Sequence, residues 1–273
     1  TVSPTIYAPH LARQKLQMQP QPELGQSRAM LAPSAFLRFA HTAMRNPQNS
    51  FLVARAGYEA DCNLLDDVPK VDGFYSIVPH EWSEVRQLLY GTPNANYPQV
   101  EDFLGVSQIT ATNDIYQWQS RPNFLPLVTA GQKPIYVDHY SLDTPLARLD
   151  FDGSKIVFLL EETKSFVTVS KQTSARILNS NFKTQSVDIE AEADEPSLVV
   201  VAQTYYHNWR AFVDGNPTPL LQANHAFQAV QIPAGRHRIK LIYCDRAFEI
   251  GAVISMATLC GCIIVLILCR KKI

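Results

Sequence analysis

The chain has 273 residues, of which 46% are hydrophobic, and its 24 basic and 25 acidic residues leave a net charge of −1. This apolar content is enough to build a core, with room for two small domains. A near-neutral chain without clustered Lys and Arg argues against a nucleic-acid partner. Because there is no HExxH or CxxC pattern and the seven histidines are dispersed, the sequence predicts no metal site and no cofactor.

Residues 1–140 are predicted to form a linker followed by a small α/β or irregular subdomain. Thr1 to Gly25 is rich in Pro and Gln and lacks periodicity, which is typical of an extended linker. Cys62–Pro79 holds two prolines, an Asp-Asp and an Asp-Gly, which predict a loop. The predicted helices are Ala35–Met44, Trp82–Tyr90 and Tyr97–Leu104, with a tight turn at Gly105, and the predicted strands are Phe51–Ala56 and Val106–Ala111.

Residues 141–248 alternate apolar and polar positions, with turn signals every eight to twelve residues, and this predicts an antiparallel β-sandwich of jelly-roll-like type. Asp214, Gly215 and Gly235 are predicted turn residues, because Gly reaches positive φ at little cost. The fold class is therefore predicted as α+β and mostly β. The candidate strands are Lys155–Leu160, Phe166–Ser170, Ala175–Phe182, Ser186–Ala191, Leu198–Thr204, Arg210–Val213, Pro219–Gln222, Ala226–Ile232 and His237–Tyr243.

The segment 249–273 is predicted to be a transmembrane helix with a basic cytoplasmic tail. Ile250–Cys269 contains no charged residue and is followed by Arg270-Lys271-Lys272. Twenty helical residues rise about 30 Å, the thickness of a bilayer's hydrocarbon core, and a basic cluster marks the cytoplasmic side. The bulk of the chain is then expected outside the cytoplasm. Because Thr1 begins no signal peptide, we expect an upstream segment to have carried it across the membrane.

Small residues follow one face of the predicted span. They are Gly251, Ser255, Thr258, Cys262 and Cys269. Such a face lets another membrane helix approach closely, which favours a bundle with further helices of a parent protein. The alternative is a single lipid-facing anchor, in which small residues are merely scattered.

Acidic residues offer two weak candidates for chemistry. Asp66, Asp67 and Asp72 could form a cation or sugar site, but a solvated loop is the favoured interpretation. Glu161 and Glu162 are adjacent on a strand or its end, so they should point to opposite faces and not act as a pair. No catalytic residue is predicted.

Cysteines and histidines are interpreted as structural. Cys62 and Cys244 could form a bridge, but free buried thiols are favoured, since two cysteines make no disulfide framework. His207, His225 and His237 fall near predicted hairpins and are read as surface or hydrogen-bonded strand residues.

Tyr205, Tyr206 and Trp209 are the candidate glycan contacts, because aromatic rings form a platform for sugar rings. For Trp209 itself, the favoured interpretation is a position in the core between two hydrophobic strands. Strand alternation would put the two tyrosines on opposite faces and leave one of them exposed.

The order of sequence features from Leu198 to Ser255 is more informative about family resemblance than any single feature. An apolar strand precedes a Tyr-Tyr-x-x-Trp-x-Ala-x-Val-Asp-Gly block at 205–215, then a Pro-Ala-Gly hairpin at 233–235, a strand ending in Tyr243 and the membrane helix. This order resembles the closing segment of the YfhO family of bacterial multispan membrane proteins. The family usually has Pro-Gly where this chain has His207-Asn208. Asn63–Val78 and 104–106 resemble a family loop and the short strand after it.

The resemblance implies the extracytoplasmic C-terminal portion of a polytopic protein of the GT-C class, glycosyltransferases that use lipid-phosphate-linked sugars. GT-C enzymes carry their catalytic carboxylate in the first extracytoplasmic loop and bind the lipid donor among several helices. With one span, no catalytic residue can be carried over onto this chain. The implied partners are the remaining membrane helices of the parent and a cell-envelope glycan or polyprenyl-phosphate sugar.

Two other functions stay open from the sequence. One is a membrane-anchored carbohydrate-binding or adhesion module, and the other is a structural domain of a membrane complex.

Overall fold

The computed structural model describes residues 18–41, 53–55, 57–74, 76–112, 114, 116–138, 145–148 and 150–270. Its α-helices are α1 (Pro33–His41), α2 (His80–Tyr90), α3 (Pro98–Phe103) and α4 (Arg246–Arg270). Its strands are β1 (Arg28–Met30), β2 (Val106–Thr110), β3 (Trp118–Ser120), β4 (Val128–Ala130), β5 (Lys133–Val137), β6 (Ile156–Leu160), β7 (Ala175–Lys183), β8 (Ser186–Ala193), β9 (Ser197–Val201), β10 (Trp209–Val213), β11 (Asn216–Thr218), β12 (Leu221–Ala223), β13 (Phe227–Ile232) and β14 (Gly235–Tyr243). More residues lie in strands than in helices, so the predicted mostly-β class is confirmed.

Two large sheets pack face to face. The five-stranded sheet has the order β11-β10-β14-β8-β7, and the six-stranded sheet has the order β4-β9-β13-β12-β6-β5. All described pairs in these sheets are antiparallel except the parallel pair β5–β6. Val187 and Ile189 of one sheet share a buried core with Val199, Val201 and Val230 of the other. The predicted sandwich is therefore present.

The outer face of the six-stranded sheet is covered by the N-terminal helices. Leu198 and Val200 point to that side and join Trp82, Val85 and Phe103 of α2 and α3 in a second core. All five residues of β9 are consequently buried, whereas β8, whose outer face is wet, alternates between buried and half-buried residues. The sheet thus forms the middle layer of a three-layer arrangement.

The N-terminal part contributes directly to this sheet. Strands β4 and β5 precede the domain boundary predicted near residue 140, yet β4 pairs with β9 and β5 pairs with β6. A separate three-stranded sheet, in the order β1-β2-β3, lies in the N-terminal part.

Three predicted strands differ from the structure. Residues 53–55 of the predicted strand Phe51–Ala56 are helical, and its other three positions lie outside the described residues. Phe166–Ser170 forms no strand, because the Val167 amide donates to the Thr163 carbonyl and the Thr168 amide donates to the Gln231 side chain. Pro219–Gln222 is the point where the chain leaves β11 in one sheet for β12 in the other, and Pro219 cannot donate a ladder hydrogen bond.

Helix α4 follows β14 after only two residues. The Phe248 amide donates to Asp245 Oδ1 at 3.0 Å, so Asp245 caps the helix. The stretch Arg246–Ile267 is long and apolar enough to cross a membrane, and none of its most apolar part is buried. The predicted apolar C-terminal helix is confirmed, while Lys271–Ile273 and residues 1–17 of the predicted linker lie outside the described residues.

Candidate functional site

The Tyr-Tyr loop lies between β9 and β10. The Tyr205 amide donates to the Ala226 carbonyl at 2.7 Å, and the Trp209 amide donates to the Tyr206 carbonyl at 3.0 Å. These two bonds fix a turn from which Tyr206 projects with 39% of its surface exposed, while Tyr205 is half-buried.

Trp209 begins β10 and lies opposite Tyr243 of β14. Their ring centroids are 5.7 Å apart at an interplanar angle of 75°, an edge-to-face contact. Trp209 is only 9% exposed and belongs to the core between the two large sheets. This burial supports the core interpretation of Trp209 over the sugar-platform interpretation.

Tyr243 completes an aromatic cluster that the sequence did not assign to a site. Its ring lies nearly parallel to that of Tyr206, with centroids 6.5 Å apart at 19°. The Asn208 side chain donates to the Tyr243 hydroxyl at 3.3 Å. The sequence did not reveal this contact, because Tyr243 lies 34 or more positions after Tyr206 and Trp209 and meets them only through the pairing of β10 with β14.

The predicted contacts Tyr205, Tyr206 and Trp209 do not form one platform. Tyr206 and Trp209 line a first cleft of about 670 Å³ together with Tyr243. Tyr205 and Trp209 line a second cleft of similar volume, which also involves His207 and Arg210. Of the three, Tyr206 is therefore the residue able to offer a ring face to a ligand in the first cleft.

Two cationic side chains line the first cleft and are held by hydrogen bonds. Arg28 donates to the carbonyls of Leu104 at 3.0 Å and Ala202 at 2.8 Å. Lys70 donates to the Tyr58 carbonyl at 2.5 Å, and its Nζ lies 3.6 Å from Asp72 Oδ2. The Lys70 side chain is fully buried, so the half-buried Arg28 is the cation of the two that can face a ligand. A cleft that combines aromatic faces with a fixed cation can hold a ring ligand through stacking and hydrogen bonding.

The acidic residues form an internal scaffold. The solvated-loop interpretation is wrong for Asp66 and Asp72, which are buried, and only Asp67 is exposed. Both carboxylate oxygens of Asp66 accept hydrogen bonds from Arg55, one of them at 2.9 Å, and this pairing raises the pKa of Arg55. Among the described residues, no group of His, Cys, Asp and Glu side chains could hold a metal ion.

Asp72 in turn accepts a hydrogen bond from the Tyr90 hydroxyl at 3.3 Å. Burial, reinforced by the neighbouring carboxylate, raises the pKa of Tyr90 well above its usual value. Asp66 and Asp72 therefore hold the N-terminal part together.

Glu161 and Glu162 directly follow the end of β6 and begin a 3₁₀ turn, Glu161–Ser165. Both side chains are exposed, and Glu161 accepts a hydrogen bond from Lys164 at 2.6 Å. They form no paired carboxylate site.

His225 and His237 each contact a carboxylate. His225 Nε2 lies 2.6 Å from Glu84 Oε2 in the interior, where burial lowers the pKa of His225 more than Glu84 raises it. His237 Nδ1 lies 2.6 Å from Asp214 Oδ2, and this bond raises the pKa of His237 and lowers that of Asp214. His207 is exposed beside Tyr206.

Asp214 also fixes the turn that it begins. Its Oδ1 accepts from the Arg238 amide at 2.8 Å, while Gly215 and Gly235 have φ of 82° and 118°. Cys62 and Cys244 are free thiols.

These observations define a class: a membrane protein whose β-sandwich continues almost directly into an unburied apolar helix. Residues 139–255 match the model of a family described as bacterial membrane protein YfhO. Over this segment the chain is similar to that family of membrane proteins, and the predicted resemblance is confirmed there. No curated protein was found to match the chain.

Proposed function

We propose that this chain is the non-catalytic, extracytoplasmic C-terminal portion of a polytopic YfhO-like protein of the GT-C glycosyltransferase class. The observation that carries the proposal is the family match, which covers the sandwich strands β6 to β14 and runs into the apolar helix at residue 255. In this proposal α4 is the last of several spans, and Lys271 and Lys272 lie in the cytoplasm.

The exposure of α4 supports further helices as partners. Its apolar side chains are exposed in the described structure, including Val253, Met256 and Leu259. The small residues Gly251, Ser255 and Thr258 lie on one face, and the Thr258 hydroxyl donates to the carbonyl of Ile254, so it is satisfied within the helix. Helices with such faces pack closely against others in membranes.

A non-catalytic role follows from what a GT-C reaction requires. Transfer from a polyprenyl-phosphate sugar needs a carboxylate base at the acceptor and a pocket among membrane helices for the lipid donor. One helix encloses no such pocket. Asp66 and Asp72 are engaged with Arg55 and Lys70 respectively, within the folded interior. The chemistry is assigned to the part of the parent protein that this chain does not contain.

The experiment incubates the chain in lipid nanodiscs with labelled polyprenyl-phosphate sugars and cell-envelope acceptors. We expect no transfer above that of heat-denatured protein. Transfer by the native chain alone would overturn the non-catalytic assignment.

The first cleft favours a second candidate function, a membrane-anchored glycan-binding module. Tyr206 and Tyr243 present nearly parallel rings there, and Arg28 adds a cation. Glycan titration separates this function from a purely structural domain. Tyr206→Ala should weaken glycan binding, whereas Tyr205→Ala, in the second cleft, should not; equal effects would remove the assignment to the first cleft.

A further inference from the structure

Three segments meet where the chain leaves the sandwich for α4. The Cys244 amide donates to the Asn208 carbonyl at 3.0 Å, which ties the Tyr-Tyr loop to the end of β14. Ile77 and Val78 line the first cleft together with Tyr206 and Tyr243. Tyr243 precedes the first residue of α4 by three positions, a chain distance of about 10 Å at most. This end of the sandwich therefore lies next to the start of the membrane helix.

Large apolar side chains are exposed on the loop that brings Ile77 to the cleft. Ile77 is 91% exposed, and Phe74, three positions earlier, is 71% exposed. They lie on the loop between the 3₁₀ turn Cys62–Asp66 and α2, where the Phe74 amide donates to Asp61 Oδ1 at 3.0 Å. Neither side chain contributes to the buried cores, so water would be in contact with most of their apolar surface.

We propose that Phe74 and Ile77 enter the interfacial region of the same bilayer that α4 spans. The occupant of this surface is lipid, at the boundary between headgroups and acyl chains. Continuity with the membrane helix carries the assignment: Ile77 lines the same cleft as Tyr243, and the next large exposed apolar residue along the chain from Tyr243 is Phe248 of α4.

The neighbouring side chains fit a membrane interface. Tyr206, which lines the same cleft as Ile77, is exposed, and Arg246 is exposed at the first position of α4. Aromatic side chains with a polar end and cationic side chains concentrate at this depth of a bilayer. Burying Phe74 and Ile77 there removes apolar surface from water, which favours the docked orientation. The sandwich would then touch the membrane at two places, α4 and this loop.

The test uses the full chain with its five native cysteines replaced, reconstituted in phosphatidylcholine vesicles with or without lipids carrying a quencher on the acyl chain. An environment-sensitive fluorophore is attached to Phe74→Cys or Ile77→Cys. Val253→Cys, within α4, sets the quenching of a fully lipid-exposed site. Ala234→Cys, exposed in the hairpin before β14, is the matched control at the opposite end, about 30 Å from Tyr243 along the strand.

We expect about a twofold or greater loss of fluorescence at positions 74 and 77 with quencher lipid, and none at position 234. Quenching at 74 and 77 no greater than at 234, in vesicles where position 253 is quenched, would overturn the proposal. A blue-shifted emission without quenching by lipid would also overturn it, because it would show contact with protein. Neither result depends on glycosyl transfer or on which side of the membrane the sandwich lies.

Discussion

Tyr206 lies on the Tyr-Tyr loop and Trp209 begins the strand that follows it, but their environments give these two aromatic residues different roles. Trp209 packs against Tyr243 in the core between the sheets, whereas the Tyr206 ring is exposed. Stability should therefore depend on the first residue, and recognition of any ligand in the first cleft should depend on the second.

Trp209→Ala should lower the free energy of unfolding by roughly 3–5 kcal/mol, because it removes a large buried ring. Tyr206→Ala should change it by less than about 0.5 kcal/mol, as for a surface side chain. Chemical denaturation of the chain in detergent, followed by circular dichroism of the β signal, measures both. Similar losses for the two variants would contradict the core position of Trp209.

Asp66 and Asp67 provide a matched pair for testing the buried ion pair. Asp66→Asn should destabilise the fold by about 3–5 kcal/mol, because the buried Arg55 guanidinium loses its carboxylate partner. Asp67→Asn should have little effect, since Asp67 is exposed and Asn tolerates its φ of 52°. Thermal melting of both variants tests this prediction. An unchanged melting temperature for Asp66→Asn would mean that the Arg55–Asp66 pair contributes nothing to stability.

The Asp214–His237 contact predicts a pH dependence of stability. The folded state raises the pKa of His237, so its contribution is complete below the unfolded value of about 6.5 and is lost as pH rises through the folded value. The lowered pKa of Asp214 makes its contribution complete above about pH 4 and lost as pH falls through its folded value. The pair thus contributes most between these limits.

The measurement compares the wild type with His237→Gln between pH 5 and pH 8. The stability difference between them should be largest near pH 5–6 and should shrink towards pH 8. The pKa of buried His225 is lowered, so its protonation in acid destabilises the fold. Both proteins contain His225, and its contribution therefore cancels when their stabilities are subtracted. A difference that is independent of pH would refute the role of His237.

Between strands, the turn from β4 to β5 leaves little room for a side chain at Gly131. Gly131 has a φ of 91°, and an added Cβ would lie 2.5 Å from the Thr173 carbonyl oxygen. Gly215 has a similar φ of 82°, but an added Cβ there would meet no atom within 4 Å. Gly131→Ala should therefore destabilise more than Gly215→Ala, for which the backbone strain alone costs about 1–2 kcal/mol. Equal losses of melting temperature would show that the close approach to Thr173 relaxes without cost.

The strands that sequence predicted well have one covered face and one wet face. Ser186–Ala191 and His237–Tyr243 alternate clearly, and β8 and β14 contain them. The continuous apolar run 198–201 also gave a strand, but its second layer of helices was not predicted, because a run buried on both faces does not reveal what covers it.

One error, the predicted strand Phe166–Ser170, occurred where a side chain replaces a backbone partner. Val167 and Val169 are buried with the spacing of a strand, yet the amide between them bonds to the Gln231 side chain. The candidate site was predicted only in part, because sequence patterns reveal neighbouring residues but not the pairing of distant strands. Adjacent Tyr205 and Tyr206 could be named from the sequence, but the contribution of Tyr243 depends on a strand pairing over a long separation.

At the scale of the molecule, the proposed topology can be tested from outside the cell. A single cysteine added after Ile273, in a chain lacking its five native cysteines, should resist an impermeant maleimide in intact cells and react after lysis. A cysteine at Ala234 should react in intact cells, because it is exposed on the sandwich. Efficient labelling of the tail from outside would reverse the proposed orientation.

The two-residue link between β14 and α4 makes the sandwich a lever attached to the membrane helix. The Cys244 amide donates a hydrogen bond to the Tyr-Tyr loop and Asp245 caps α4, so the link has little conformational freedom. With β14 about 30 Å long, a tilt of 10° in α4 would displace the hairpin at Gly235 by about 5 Å if the link is rigid. A tilt of α4 within the bilayer would then displace the hairpin at the opposite end of the sandwich from α4. Lengthening the link by inserting flexible residues after Asp245 would uncouple the two motions.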